Sequence, residues 1–357
     1  MSFDNQSILG VPTNIITGFL GVGKTSAILH LLANKPEGER WAVLVNEFGE
    51  IGVDGSLVQG QQHDKKQVFI REVPGGCMCC AAGVPMKIAL NQLLLKAKPD
   101  RLLIEPTGLG HPKEVMTVLS SEHYREVLSL QKNITLVDAR NLSDVRYTNH
   151  DTFNQQIAIA DTVVGNKADL YQNDELEKLA SYVAEVSRPK TKVILAEHGK
   201  FSLSELDGSA NIHEHSHEHS HEHSHEHSYE HHHTHSHIDS HVHNVKKPLA
   251  SEEIIPESGM LKAMNEGEGF YSVGWRFSSD KIFDHQKLIS MFSELSELKV
   301  ERMKAALITD KGLFGYNLTL DGLTETSLNA CSESRIELIA ETTEESFEIQ
   351  LLKCIKQ

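Results

Sequence analysis

Long apolar runs are missing from this 357-residue chain. No stretch reaches the roughly 18 apolar residues that a membrane-spanning helix needs, so none is expected. The N-terminal residues MSFDNQSILG lack a basic stretch followed by a long apolar one, which predicts no secretory signal. Basic residues are outnumbered, 34 Lys and Arg against 50 Asp and Glu, giving a formal charge of −16. A nucleic-acid binder needs a basic footprint, so that class is excluded. Cysteine is scarce: of five, Cys77, Cys79 and Cys80 crowd together while Cys331 and Cys354 stand apart. A secreted disulfide framework is spaced differently, which predicts reduced thiols and a cytoplasmic protein. What remains, 39% hydrophobic and 24% charged residues, is ordinary globular composition at a length that suits two domains.

Between residues 13 and 200, short β-branched runs alternate with helical patterns. Strands are expected at Thr13–Thr17, Trp41–Asn46, Arg101–Glu105, Ile134–Asp138, Thr162–Asn166 and Lys192–Ala196. Helices are expected at Lys24–Ala33, Val84–Lys96, Lys113–Leu119, Thr152–Ala160 and Asp174–Val186. Such alternation predicts an α/β fold, a parallel sheet with helices on both faces and loops gathered at the strand C-termini. Residues 211–243 hold 15 of the 22 His in a repeat of His-Glu-His-Ser with no apolar periodicity, too polar to bury a core. Globular patterning resumes near residue 268. Phe270–Phe277, Val300–Thr309 and Leu313–Leu320 read as strands, Lys281–Leu295 and Glu344–Ile355 as helices, predicting a small α+β domain. The expected division is 1–205, a nucleotide domain; 206–265, a His-rich metal-binding linker; and 266–357, the C-terminal domain.

The strongest motif is Gly18-Phe19-Leu20-Gly21-Val22-Gly23-Lys24-Thr25, placed between an expected strand and an expected helix. Gly18, Gly21 and Gly23 let the backbone wrap a phosphate, and the N–H groups from Val22 to Ser26 form an anion nest at a helix N-terminus. Lys24 reaches the β- and γ-phosphates, and Thr25 ligates Mg²⁺. Asn166-Lys167-Ala168-Asp169 follows a strand and selects guanine. The Asp169 carboxylate accepts from two adjacent guanine donors that adenine lacks. Leu102–Gly108 is an apolar strand ending in an acid. Glu105 is a candidate for holding Mg²⁺, directly or through water, or for positioning the attacking water, and the Gly108 N–H for sensing the γ-phosphate. GTP and Mg²⁺ are the expected ligands, with Lys24, Glu105 and Gly108 the catalytic candidates.

Three thiols in Cys77-Met78-Cys79-Cys80, after Pro74-Gly75-Gly76, suit Zn²⁺ or Cu(I). A redox pair and plain packing are the alternatives. A tetrahedral site needs another ligand, and Glu50 in the segment Asn46–Asp54 is the candidate; Glu47 and Asp54 are candidates for the Mg²⁺ side. The His tract binds Zn²⁺, Ni²⁺, Co²⁺ and Cu²⁺ with little discrimination, as an unselective capture arm or reservoir.

GFLGVGKTS, VNEFGEIGVD, GGCMCC, IEPTGLGHP and NKAD, in this order, resemble the CobW family of P-loop GTPases. The resemblance covers most of residues 13–200 and extends more loosely to the C-terminal part. It implies GTP hydrolysis coupled to metal transfer, with zinc the usual metal of the Cys77, Cys79, Cys80 motif and Glu50 beside it. It implies a client metalloprotein as partner, the chain itself being a monomer or a homodimer. Two other functions stay open: zinc storage on the His tract, and a cobalt or nickel insertase.

Overall fold

The computed structural model describes residues 8–45, 67–73, 84–172, 174–210, 253–267, 270–295, 300–319, 321–340 and 345–356. Eight strands form the first sheet: β1 (Val11–Gly18), β2 (Trp41–Val45), β3 (Val68–Glu72), β4 (Arg101–Glu105), β5 (Leu128–Leu130), β6 (Ile134–Val137), β7 (Thr162–Gly165) and β8 (Lys192–Leu195). Their order is β3-β2-β4-β1-β6-β7-β8, with β5 also on β1, and every pairing is parallel. The connecting helices are α1 (Lys24–Ala33), α2 (Val84–Ala97), α3 (Pro112–Leu119), α4 (Val145–Thr148), α5 (Asp151–Ala158) and α6 (Glu175–Val186).

Alternate strand residues enter two different cores. Ile16, Val45 and Leu103 join Ile28 and Leu31 of α1, Phe153 of α5 and Leu179 of α6. Ile15, Leu44 and Ile104 join Leu90 and Leu93 of α2 and Val115 of α3. A sheet buried on both faces explains why β2 reads WAVLV, with all five residues buried. Parallel pairing also sends every strand C-terminus to one edge, which is where the loops after β1, β4 and β7 lie.

The second sheet is antiparallel, in the order β13-β12-β11-β14-β10-β9. Its strands are β9 (Met260–Gly267), β10 (Phe270–Phe277), β11 (Val300–Thr309), β12 (Gly312–Thr319), β13 (Gly322–Ser327) and β14 (Ser334–Ala340); its helices are α7 (His285–Leu295) and α8 (Glu345–Lys353). One face is apolar: Trp275, Met303, Leu318 and Leu338 pack on Phe292 of α7 and Phe347 and Leu351 of α8. The other face carries buried polar residues, among them Ser272, Arg302, Lys304 and Glu337. Phe270 and Ile339 from this second sheet join the core that holds Ile16 and Leu103 of the first. The polar face therefore lies against the first sheet's loops.

Three expectations need correction. The stretch assigned to the linker ends in structure, because Met260–Gly267 forms β9 and pairs with all of β10. The helix expected from Lys281 begins at His285, because Phe283 bridges to Thr309 and Ile355 and its ring is fully buried. Four further strands, β3, β5, β13 and β14, stand where none was expected. Among the described residues no helix is long and apolar enough to cross a membrane.

Candidate nucleotide and metal site

The loop after β1 can close only on glycine at two points. Gly18 has φ 144°, and a Cβ there would meet the Leu136 carbonyl oxygen at 2.4 Å. Gly23 has φ 96°, and a Cβ there would stand 2.5 Å from Asn166 Nδ2. Both clashes are with groups that cannot retreat, so these positions demand glycine for conformation and space together. The Lys24 ammonium is held by the Gly18 and Phe19 carbonyls at 2.9 and 3.0 Å. Val22 is buried, whereas Ser26 is exposed at the mouth of the cleft.

Glu105, 2% exposed, sits at the C-terminal end of β4. Its Oε1 accepts from Thr25 Oγ1 at 3.4 Å. A hydroxyl and a carboxylate side by side are oxygen donors, the set a hard cation such as Mg²⁺ prefers. Gly108 lies directly under the loop, where a Cβ would come 3.1 Å from Lys24 Nζ and 2.8 Å from the Leu20 side chain. Its carbonyl accepts from Gln156 Nε2 at 3.0 Å.

Asn166 acts as a strut. Its Nδ2 donates to the Val22 carbonyl at 2.8 Å, and its Oδ1 accepts from the Gly199 N–H at 2.8 Å. One buried side chain thereby ties the phosphate loop to the loop after β8. Tyr171 fixes the same turn, its hydroxyl donating to the Asn166 carbonyl at 2.8 Å. Burial pushes that hydroxyl's pKa up to about 12, so it stays a donor at physiological pH. Lys167 takes the left-handed conformation, φ 61°, and reaches Asp321 of the second sheet. Asp169 is exposed and lines the cleft.

These residues meet in one cavity of about 430 Å³. Thr25, Glu105, Asn166 and Asp169 contribute from the first sheet, and Arg302, Lys304 and Asp321 from the second. The roof went unforeseen in the sequence, as did His198. Lys304 Nζ donates to Thr25 Oγ1 at 3.0 Å. Asp321 bridges Lys167 and Arg140, the latter at 2.7 Å. Arg140 in turn is held by Asp138 at 2.6 Å. Burial drives the Asp321 carboxyl upward, but its hydrogen bonds from Arg140 and Lys167 outweigh that and hold it below the usual aspartate range.

The candidate metal ligands Glu47, Glu50, Asp54, Cys77, Cys79 and Cys80, and the His tract at 211–243, lie outside the described residues. Residues 46–66 leave the C-terminal end of β2, and residues 74–83 follow the C-terminal end of β3. Those two strands are neighbours, and β2 pairs with β4, which ends at Glu105.

Comparison with known proteins agrees with this geometry. Residues 12–194 match the CobW/HypB/UreG nucleotide-binding domain. The chain is 38% identical over 339 residues to the zinc chaperone YeiR of Escherichia coli, covering 92% of each chain. It is 30% identical over 229 residues to the zinc chaperone CobW of Pseudomonas aeruginosa, covering 57% of this chain and 61% of the relative. It is also 30% identical over 208 residues to the zinc-regulated GTPase metalloprotein activator 1 of Schizosaccharomyces pombe, covering 57% and 50%. The chain therefore belongs to the CobW/HypB/UreG family, and its nucleotide-binding domain is the first sheet with its helices.

Proposed function

We propose that this chain is a GTP-hydrolysing zinc chaperone that binds zinc and passes it to a client metalloprotein, with release coupled to the nucleotide state. The observation that carries the nucleotide half is the cleft itself: the glycine-dependent loop, Lys24, and Thr25 beside Glu105, with Asn166 bracing the loop and Asp169 at the cavity wall. Lys24 and the loop N–H groups cradle the phosphates. Thr25 and Glu105 would hold Mg²⁺, which would supply charge neutralisation at the transferred phosphoryl group. Asp169 selects guanine by accepting its paired donors.

The metal half rests on two supports. YeiR, similar over nearly the whole chain, is a zinc chaperone. And the segments bearing Glu50 and Cys77, Cys79 and Cys80 leave adjacent strands at the edge where Thr25 and Glu105 meet. Loops at that edge are the ones a γ-phosphate orders, so one switch can answer to both nucleotide and zinc. We assign the thiolates to a selective tetrahedral site, the His tract to collecting ions, residues 1–205 to the nucleotide domain, and the residues from 206 to a linker that gives way to the C-terminal domain where β9 begins at Met260.

The test is GTP hydrolysis with and without stoichiometric Zn²⁺, in wild type, in the Cys77→Ser, Cys79→Ser, Cys80→Ser triple variant, and in a deletion of residues 213–243. Delivery predicts zinc-stimulated hydrolysis that the triple variant loses. The deletion should lose metal capacity and keep one tight site. Loss of nearly all bound zinc on deletion, with the triple variant unaffected, would establish storage instead. Tighter binding of Co²⁺ or Ni²⁺ than Zn²⁺ to the GTP-loaded protein would make it an insertase for those metals.

A further inference from the structure

The C-terminal domain has no part in the proposal above, yet its sheet roofs the nucleotide cleft. Strand β11 begins with an irregularity: its pairing with β14 shifts register between Val300 and Arg302. Beyond that shift, Met303, Ala305 and Leu307 face the apolar core of the domain. Arg302 and Lys304, two residues apart, share the opposite face, and they are only 6% and 8% exposed. Two cations kept more than nine-tenths buried carry a high desolvation cost. A solvated sheet face would not incur it.

Both side chains line the nucleotide cavity. The charged lining of that cavity is Lys24, Lys167, Arg302 and Lys304 with Glu105, Asp169 and Asp321. Lys304 is placed most closely, donating to Thr25 Oγ1 at 3.0 Å. The hydroxyl after the P-loop lysine belongs to the β/γ junction of a bound nucleoside triphosphate. An ammonium at that hydroxyl is within charge-assisted hydrogen-bonding reach of the junction's oxygens. Attraction to phosphate, and repulsion from any divalent cation on Thr25, both direct it toward the γ end.

We propose that the C-terminal domain completes the nucleotide site, and that Lys304, with Arg302 behind it, is a triphosphate-binding residue that tells GTP from GDP. The assignment rests on the GTPase reading and is independent of zinc delivery. It gives the second domain a function: the γ-phosphate becomes the anion shared between the two sheets, and its loss on hydrolysis removes one of their links.

The experiment is equilibrium binding of GDP and of a non-hydrolysable GTP analogue to the full chain. Wild type, Lys304→Met and Lys304→Arg are compared, with thermal unfolding confirming that each variant folds. Lys304→Met, of similar length and without charge, should weaken the analogue roughly 10- to 100-fold and leave GDP little changed. Lys304→Arg should recover much of the loss. Hydrogen exchange supplies a readout that a merely structural lysine would not move: the analogue should slow exchange across residues 300–309 in wild type and Lys304→Arg only. Equal loss for both nucleotides, unchanged affinity, or tighter analogue binding in Lys304→Met would each overturn the assignment. Failure of the wild type to bind either nucleotide would defeat the GTPase reading as well, which separates the two claims.

Discussion

The two sheets of this protein solve the burial problem differently. The first is parallel and covered on both faces, so its central strands are apolar throughout; Leu102, Leu103 and Ile104 are all fully buried although they point to opposite sides. The second is antiparallel and has one apolar face, closed by α7 and α8. Its other face is polar yet still buried, because it is spent on the first sheet. The first sheet thus has a core on each face, one of them joined by Ile339 of the second sheet. The second has a self-sufficient half and an interface, and it is at that interface that the cavity-lining residues Arg302, Lys304 and Asp321 lie.

The contrast can be broken most forcefully by cavities. The chain's two Trp report on different sheets, Trp41 on β2 and Trp275 on β10, and both are 1% exposed. Leu103→Ala and Leu338→Ala each delete a fully or almost fully buried side chain, which costs about 2–5 kcal/mol. In single-Trp backgrounds, Leu103→Ala should lower the urea midpoint seen by Trp41, and Leu338→Ala the midpoint seen by Trp275. If each cavity shifted both probes equally, the two cores would be one cooperative unit and the comparison would fail.

A smaller effect tests the site rather than the cores. Lys24→Ala removes the ammonium anchored on the Gly18 and Phe19 carbonyls. Single-turnover hydrolysis should fall by roughly 10²- to 10³-fold, as when one preorganised donor to a developing charge is lost. The Trp275 midpoint should stay in place, since nothing in the second sheet's apolar core depends on Lys24.

The same contrast explains what could be read from residues alone. The phosphate loop was legible because its demands are local: glycines at fixed spacing, then Lys24 and Thr25, between a strand and a helix. The α/β alternation was legible because two-sided burial leaves continuous apolar runs such as ITLV and TVVG. Strand β9, MLKAMNEG, was not, because an edge strand with Lys262, Met264 and Glu266 exposed has no apolar alternation to show. Nor was the roof of the cleft. Lys304 within VERMKAALIT looks like the polar side of an ordinary half-exposed strand. What buries it is a domain nearly 280 residues away in the chain, at Thr25. Spacing carries no trace of such a contact.

The smallest effect concerns the clamp between the domains at Asp321. Its carboxylate pairs with Arg140 and Lys167, and side chains of all three are 20–31% exposed. Partly solvated pairs of this kind are worth about 0.5–1 kcal/mol. Asp321→Asn should lower the unfolding free energy by that amount at neutral pH. The sign of the pH dependence follows from the depressed folded-state pKa: the carboxylate's contribution is fully present above the ordinary aspartate range and is lost as pH falls through the folded value. The gap between wild type and Asp321→Asn should therefore close on acidification, because the wild type sheds what the variant never had. High salt should narrow the gap at neutral pH as well, since solvent reaches these charges. A gap that persisted at low pH and in high salt would mean that Asp321 holds the hairpin of β12 and β13 by packing, and that the polar interface is less electrostatic than its residues suggest.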